Sequence, residues 1–471
     1  MLSPSINIHI DWKIRVLADD LSPEIYQQIT QALTIPNLAK LNAEKQQLWN
    51  WEQMPDDVVL YQVDQGQLIM PRGFLLHLVQ GLEVNGLEYS IHDHRTWNAP
   101  KGKSEPCFDL FPWQVPAMET LSRMQQGFLK MPAGSGKTAT VLGLVDKLQA
   151  KSLIIVNTKD ILWQWRSRIE TFLGPEIHIG QIGAGEFEVS EQITVATAQT
   201  LHSRYDKLEA SGFFDEFDIM CIDEAHHSTA NTYNKLVDRF SSRYRIGVSA
   251  TPDKTGDFAL AQSVLGPVVH TTTPDQVSNL MKPEVIKVQT DFFFPFKPTK
   301  SRWQRSNYPQ MIEAMVADPQ RNQLIVDQIM KNPRNHNLLV TKRIEHIDIL
   351  ESMLAQAGYP EPILRLTGQD KNEHREEVVA YANQSPCIVL STLADEALDI
   401  PRLDRIYLVF SQRNPGLIVQ QVGRVERVHP DKKDAKIYDF ADNVGPLAKQ
   451  WRVRRFEVYE PRQYKITIQK A

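Results

Sequence analysis

From about residue 106 onward, short apolar runs alternate with polar, glycine-punctuated loops and longer stretches of helical spacing, so the chain repeatedly reads strand, loop, helix. That alternation predicts an α/β architecture built on parallel sheets. Strands are expected at 127–131, 152–156, 193–196, 219–222 and 245–248, making a first sheet, and at 337–340, 363–366, 387–391, 405–410 and 435–440, making a second. Closely spaced prolines within 291–300 separate the two sets. The expected organisation is an N-terminal accessory segment over 1–105, a first lobe over 106–285, a linker over 286–310 and a second lobe over 311–471.

Length supports that division, since 471 residues suggest roughly three units of about 150 residues. No repeat or low-complexity tract interrupts them. Asp11, Lys13 and Arg15 fall where a secretory signal needs an apolar core, and no later run is long enough to span a membrane. Cys107, Cys221 and Cys387 are far apart, which disfavours a disulfide framework or a zinc knuckle and leads to the expectation of a reducing cytoplasm. A net charge of -5 excludes a globally basic nucleic-acid binder, so any phosphate contact has to be local.

The sharpest chemical signal is Met131-Pro-Ala-Gly-Ser-Gly-Lys-Thr138, between an apolar strand and a helical pattern. Ala133, Gly134, Ser135 and Gly136 are small enough for backbone N–H groups to wrap a β-phosphate. Lys137 then neutralises β and γ oxygens, and Thr138 ligates Mg2+. Met131 stands where such loops usually carry their first glycine. The second signal is the strand that delivers Asp223 and Glu224 at its carboxyl end, where α/β ligand sites lie. Asp223 can hold Mg2+ while Glu224 orients and deprotonates a water that attacks the γ-phosphate. His226 and His227 are adjacent and His92 and His94 form the other close pair, but no cysteine pair accompanies either, which argues against a metal cage.

With Asp223-Glu-Ala-His226 and Ser249-Ala-Thr251 in order behind the phosphate loop, residues 106–440 resemble the superfamily 2 helicases and translocases. The resemblance implies two RecA-like lobes, ATP and Mg2+ as cofactors, and coupling of ATP hydrolysis to movement along nucleic acid. It implies adenine recognition by Gln114 in Pro112-Trp-Gln114, and strand contacts from Thr158, Lys159, Thr197 and Gln199, which read equally well as ordinary caps at strand ends. In the second lobe, Gln420-Gln-Val-Gly-Arg-Val-Glu-Arg427 resembles the glutamine and arginine-finger motif, implying catalytic roles for Gln420, Arg424 and Arg427. Thr392, Glu396 and Asp399 resemble the element that couples nucleic acid to nucleotide, with Ala397 in place of the usual glycine, and Thr367 and Gly368 resemble a backbone-gripping turn.

Within that superfamily the arrangement is similar to the XPB and phage UvsW group of duplex translocases, on the evidence of the Asp-Glu-Ala-His box, of 317–322 and of the upstream segments 68–74 and 89–95. This implies a small N-terminal α+β accessory domain that recognises DNA, with Arg72 and Arg95 against phosphates. The alternatives are a domain that merely packs on the first lobe and an Arg72 paired internally, with Asp93 for instance. Basic stretches at 297–305 and 449–470 suit phosphates, but a solvated linker and an edge strand account for them too. The expected partner is duplex or branched DNA with RNA not excluded, and no membrane. The competing reading is an ATP-gated DNA-binding subunit of a defence or repair complex that clamps DNA and recruits a nuclease partner.

Overall fold

The computed structural model describes residues 5–45, 51–100, 102–225, 231–250, 258–278, 280–295, 307–393, 398, 400–410 and 414–470. They divide into two compact units, residues 1–132 with 136–273, and 133–135 with 274–471.

The first unit opens with a small α+β module. Its strands are β1 (Ile6–Ile10), β2 (Lys13–Leu17), β3 (Thr34–Pro36), β4 (Asp57–Val59), β5 (Gln62–Asp64), β6 (Gln67–Pro71) and β7 (Tyr89–Asp93). Five of them form a sheet in the order β5-β6-β2-β1-β7, in which only the β1 and β7 pair is parallel, and β3 pairs with β4 apart from it. Period-2 alternation puts Ile6, Ile8 and Ile10 of β1 inside and Asn7 and His9 outside. The inner face closes over a core with Ile14, Leu68 and Met70, covered by helices Pro23–Ala32 and Leu75–Val84.

The same unit continues into a larger sheet of β8 (Gln126–Lys130), β9 (Ser152–Val156), β10 (Ile179–Gly183), β11 (Glu186–Phe187), β12 (Ile193–Thr197), β13 (Ile219–Asp223), β14 (Tyr244–Ser249) and β15 (Val268–Thr271). The order is β11-β10-β12-β9-β13-β14-β8-β15, parallel throughout except for the β10–β11 hairpin. Strands β9, β12 and β14 are buried along their whole length, as strands covered by helices on both faces must be.

The second unit holds β16 (Glu284–Thr290), β17 (His336–Val340), β18 (Ile363–Leu366), β19 (Cys387–Ser391), β20 (Arg405–Leu408), β21 (Lys436–Asp442) and β22 (Ile466–Lys470), all parallel in the order β18-β19-β17-β20-β21-β16-β22. Here the sequence expectation is corrected. Residues 286–290 do not belong to a linker, because β16 is an inner strand held between β21 and β22, and the unit boundary lies at 273/274. Val285 and Val288 are buried on opposite faces of the sheet, whereas the polar Lys287 and Gln289 between and after them mask the strand pattern. Asp318 caps the helix Pro319–Met330, and Arg321 behind it forms a buried ion pair with Asp442 at 2.8 Å, so the 317–322 segment anchors that helix to the sheet.

Candidate nucleotide site and strand contacts

The loop after β8 turns directly into the helix Lys137–Leu148. Gly134 and Gly136 have φ of 77° and 84°, a left-handed backbone that favours glycine, and Gly136 is the N-cap of the helix. A Cβ on Gly136 would also overlap Nε2 of Gln114. Met131 has no such requirement. Its side chain is fully buried, its N–H donates to the Ser249 carbonyl at 3.1 Å and the Thr140 hydroxyl lies 3.9 Å from its sulfur, which explains why a core residue replaces the usual glycine.

Strand β13 carries Asp223 and Glu224 to the same rim of the sheet. Lys137 Nζ lies 3.4 Å from Glu224 Oε1. The Trp165 indole N–H donates to Asp223 Oδ2 at 2.7 Å, and the Glu224 backbone N–H donates to Asp223 Oδ1 at 2.9 Å. Glu224 has a φ of 47°, an unusual conformation for a residue with a side chain and one that concentrates at functional sites. Burial and the Glu224 charge push Asp223 up to about 6, against the opposing pull of Lys137 and Trp165.

Lys137, Asp223 and Glu224 are therefore brought together as expected, with the half-exposed Thr138 in the first helical turn beside Lys137. Among the described residues no group of three or more His, Cys, Asp and Glu could cage a metal. Mg2+ needs none, since it keeps waters and nucleotide oxygens and takes only one or two protein ligands. A half-buried carboxylate at the end of β13, held by Trp165, and the Thr138 hydroxyl in the first turn of the helix that carries Lys137 are donors of the kind that cation takes.

Gln114 is 2% exposed, with its side-chain carbonyl accepting from the Phe111 N–H at 2.8 Å and its amide donating to the Gly136 carbonyl at 3.3 Å. It braces the phosphate loop. Thr158 caps the helix Lys159–Leu173 by accepting from the Ile161 N–H at 3.3 Å, and Lys159 beside it is exposed. The Thr197 hydroxyl pairs with that of Thr200 at 2.8 Å, and Gln199 is exposed. In the second unit the Thr367 hydroxyl donates to Asp370 at 3.1 Å, Gly368 is exposed and the Thr392 N–H donates to the Leu366 carbonyl at 3.2 Å. Thr158, Thr197, Thr367 and Thr392 all sit at carboxyl ends of parallel strands. Gln420 is buried on the helix Pro415–Val422, Arg424 donates to the Leu398 carbonyl, and Arg427 is half-buried. His226, Thr251, Glu396, Ala397, Asp399 and the basic stretch 297–305 lie outside the described residues.

Residues 107–254 match the family described as "Type III restriction enzyme, res subunit", and residues 320–429 match the "Helicase conserved C-terminal domain". The two matches follow each other in the order of the two large sheets. The chain belongs to the superfamily 2 helicases and translocases. It is 30% identical over 171 residues to the DNA 3'-5' translocase XPB2 of Sulfurisphaera tokodaii, covering 36% of the chain and 37% of that relative. The chain thus spans little more than a third of that protein's length. It is 25% identical over 378 residues to a protein named as a probable helicase of Escherichia phage T5, covering 78% and 79%. Among solved structures, S. cerevisiae Dbp5 bound to RNA and ADP BeF3 superposes with a TM-score of 0.55 at 13% identity, covering 76% of this chain and 89% of that one, a likeness of fold alone. Both large sheets are RecA-like helicase lobes.

One expected contact of this helicase is corrected. Arg72 cannot meet nucleic acid, because its side chain is 0% exposed. Its guanidinium donates to Gln126 Oε1 at 3.1 Å, to the Ser242 carbonyl at 2.6 Å and to the Asp11 carbonyl at 3.3 Å, and Gln126 Nε2 returns a bond to the Arg72 carbonyl. Arg95 pairs with Asp93 and donates to Gln125 Oε1 at 2.8 Å. Arg245 reaches back from β14 to the Trp12 carbonyl at 3.0 Å, Lys13 pairs with Asp238, and Thr96 bridges Ser242. A Cβ on Gly73 would overlap the carbonyl oxygens of Gln262 and Ser263. The turn at 70–74 is a brace onto the first helicase lobe.

Nothing in the sequence singles out Trp165. It sits in an amphipathic helix among core positions, and only its contact with Asp223 distinguishes it. The two upstream histidines also gain a neighbour, since His9 stacks on His92 at 4.6 Å and on His94 at 5.6 Å across β1 and β7.

Proposed function

We propose that this chain is an ATP-dependent translocase or helicase that acts on duplex or branched DNA. The observation that carries the reading is the cluster of Lys137, Asp223 and Glu224 at the rim of the first lobe, with Asp223 held in place by Trp165. DNA is favoured because one relative of the chain is named as a DNA 3'-5' translocase.

The backbone of 133–136 and Lys137 bind the β- and γ-phosphates, the loop being held in shape by Gln114. Thr138 and Asp223 would hold Mg2+, which would supply charge neutralisation at the phosphates. Glu224 takes the proton of the attacking water. Its Lys137 partner is exchanged for phosphate oxygens when nucleotide enters, which frees the carboxylate for that task. Gln420, Arg424 and Arg427 are proposed from their motif as the second lobe's catalytic contribution, the arginines stabilising charge on the departing phosphate. Glu396 and Asp399 are proposed to bind nucleotide on the same ground, whereas Gln114, expected to read adenine, spends its carbonyl on the Phe111 N–H and its amide on the Gly136 carbonyl and is proposed to shape the loop. Thr158, Lys159, Thr197, Gln199, Thr367, Gly368 and Thr392 are proposed to grip the strand from the carboxyl rims of the two sheets. ATPase activity measured with and without duplex DNA tests the reading. Stimulation by DNA that Glu224→Gln abolishes supports it, and turnover unchanged in that variant refutes the assignment of the base.

A further inference from the structure

The second lobe carries a pocket of about 520 Å³ that none of the motifs above explains. It lies between β16, the end of β21 and the helix Gly445–Arg454, and four cations line it: Lys287, Lys449, Arg452 and Arg455. Asn443 adds an amide and Phe456 an aromatic ring that is 57% exposed.

Two features mark it as built for an anion. Lys287 belongs to an inner strand and shares the sheet face of Val285, so its stem is packed in lobe structure while its ammonium lies 5.0 Å over the buried Trp451 ring. A lysine there needs a reason, because an apolar residue would pack at less cost. Among the described residues no carboxylate forms an ion pair with Lys287, Lys449 or Arg452, whereas Arg455 is paired with Glu460 at 2.7 Å. In a chain of net charge -5, three cations converging on one pocket without an acid is a local departure that invites a polyanion.

Position favours a nucleic-acid strand as that polyanion. Asn443 follows the carboxyl end of β21, on the same rim of the parallel sheet as Thr367 after β18 and Thr392 after β19. The four strand steps from β18 to β21 span about 19 Å at the usual spacing. Cations with an exposed ring beside them form the combination that tracks a backbone and stacks a base without reading sequence.

We infer that this pocket, formed by Lys287, Asn443, Lys449, Arg452 and Phe456, seats one nucleotide of a nucleic-acid strand, with its phosphate on the cations and its base on Phe456. The inference rests on the proposed action on nucleic acid, and it adds an anchor outside the motifs that carry that proposal.

The test is binding of a fluorescein-labelled single-stranded oligonucleotide across a salt series by the full chain, by the double variant Lys449→Ala, Arg452→Ala and by Phe456→Ala, with inorganic pyrophosphate as a second probe. All three positions are exposed, so the fold should survive substitution. The double variant should flatten the plot of log affinity against log salt by about 0.7, the slope for one lost phosphate contact on a single strand. Phe456→Ala should bind about five-fold or more weakly with the parental slope. ATPase without nucleic acid should be unchanged in both. Parental slope and affinity in the variants, beside a parent that binds, overturns the pocket alone. Loss of pyrophosphate binding with the oligonucleotide slope intact makes it a small-anion site and also overturns the strand assignment. A parent that binds duplex DNA but not the oligonucleotide overturns this inference alone, and a parent that binds neither brings down the functional reading with it.

Discussion

Asp223 faces opposing demands. It must be charged to help hold a cation, yet burial and the adjacent Glu224 raise it to about 6. Nucleotide turnover should therefore fall as pH drops through about 6, because protonated Asp223 no longer holds Mg2+. The effect on apo stability has the opposite sign. Between the ordinary value of 3.8 and about 6 the folded state binds more protons at this site than the unfolded state, so this group makes stability fall as pH rises through that window. Activity and thermal unfolding followed over the same pH range should diverge, and a parallel loss of both below pH 6 would instead indicate acid unfolding. Trp165→Phe removes the indole donor and keeps the site apolar. Loss of a hydrogen bond to a charged group predicts a fall in turnover of about ten-fold or more and an upward shift of the acidic limb of the pH profile. An unshifted limb would make Trp165 a packing residue only.

At the scale of elements, Arg72 decides what the N-terminal module is for. Arg72→Ala leaves Gln126 Oε1 and the Ser242 carbonyl without their buried donor, and should cost about 1–3 kcal/mol of stability for each group left unsatisfied, read by denaturant unfolding. The salt dependence of DNA binding by the soluble fraction should match the parent, and a flattened slope would restore the substrate-contact reading. The inner strands of both lobes were legible because parallel strands buried on two faces leave continuous apolar runs, and 152–156 and 387–391 agree residue for residue, as does the partly buried edge strand 363–366. Strand β16 was not, since Lys287 and Gln289 break its run. The phosphate loop and the Asp223–Glu224 pair were legible because glycine φ and strand-end carboxylates leave local signatures. Arg72 was misread because an arginine in a polar turn has the same local sequence whether it faces solvent or is buried against Gln126 and Ser242. That distinction depends on residues far along the chain.

For the whole molecule, the central proposal is that ATP hydrolysis drives movement along DNA, with the motif arginines of the second lobe contributing to turnover. Arg424→Ala and Arg427→Ala should each lower turnover by about 10³-fold with a smaller loss of ATP affinity, the range for an arginine finger. Each unit has its own buried core, so a fragment ending at Thr273 should fold. It should nevertheless be nearly inactive as an ATPase, although it carries the whole phosphate loop. Cutting at 285 would strand the first residues of β16 away from their sheet partners. The most direct measurement is displacement of a triplex-forming strand from duplex DNA by the full chain, run beside Glu224→Gln. The account predicts ATP-dependent displacement by the parent, and a variant that binds ATP and DNA without displacing the strand. Displacement by Glu224→Gln at the parental rate, or a DNA-bound parent that hydrolyses ATP without moving the strand, would contradict it.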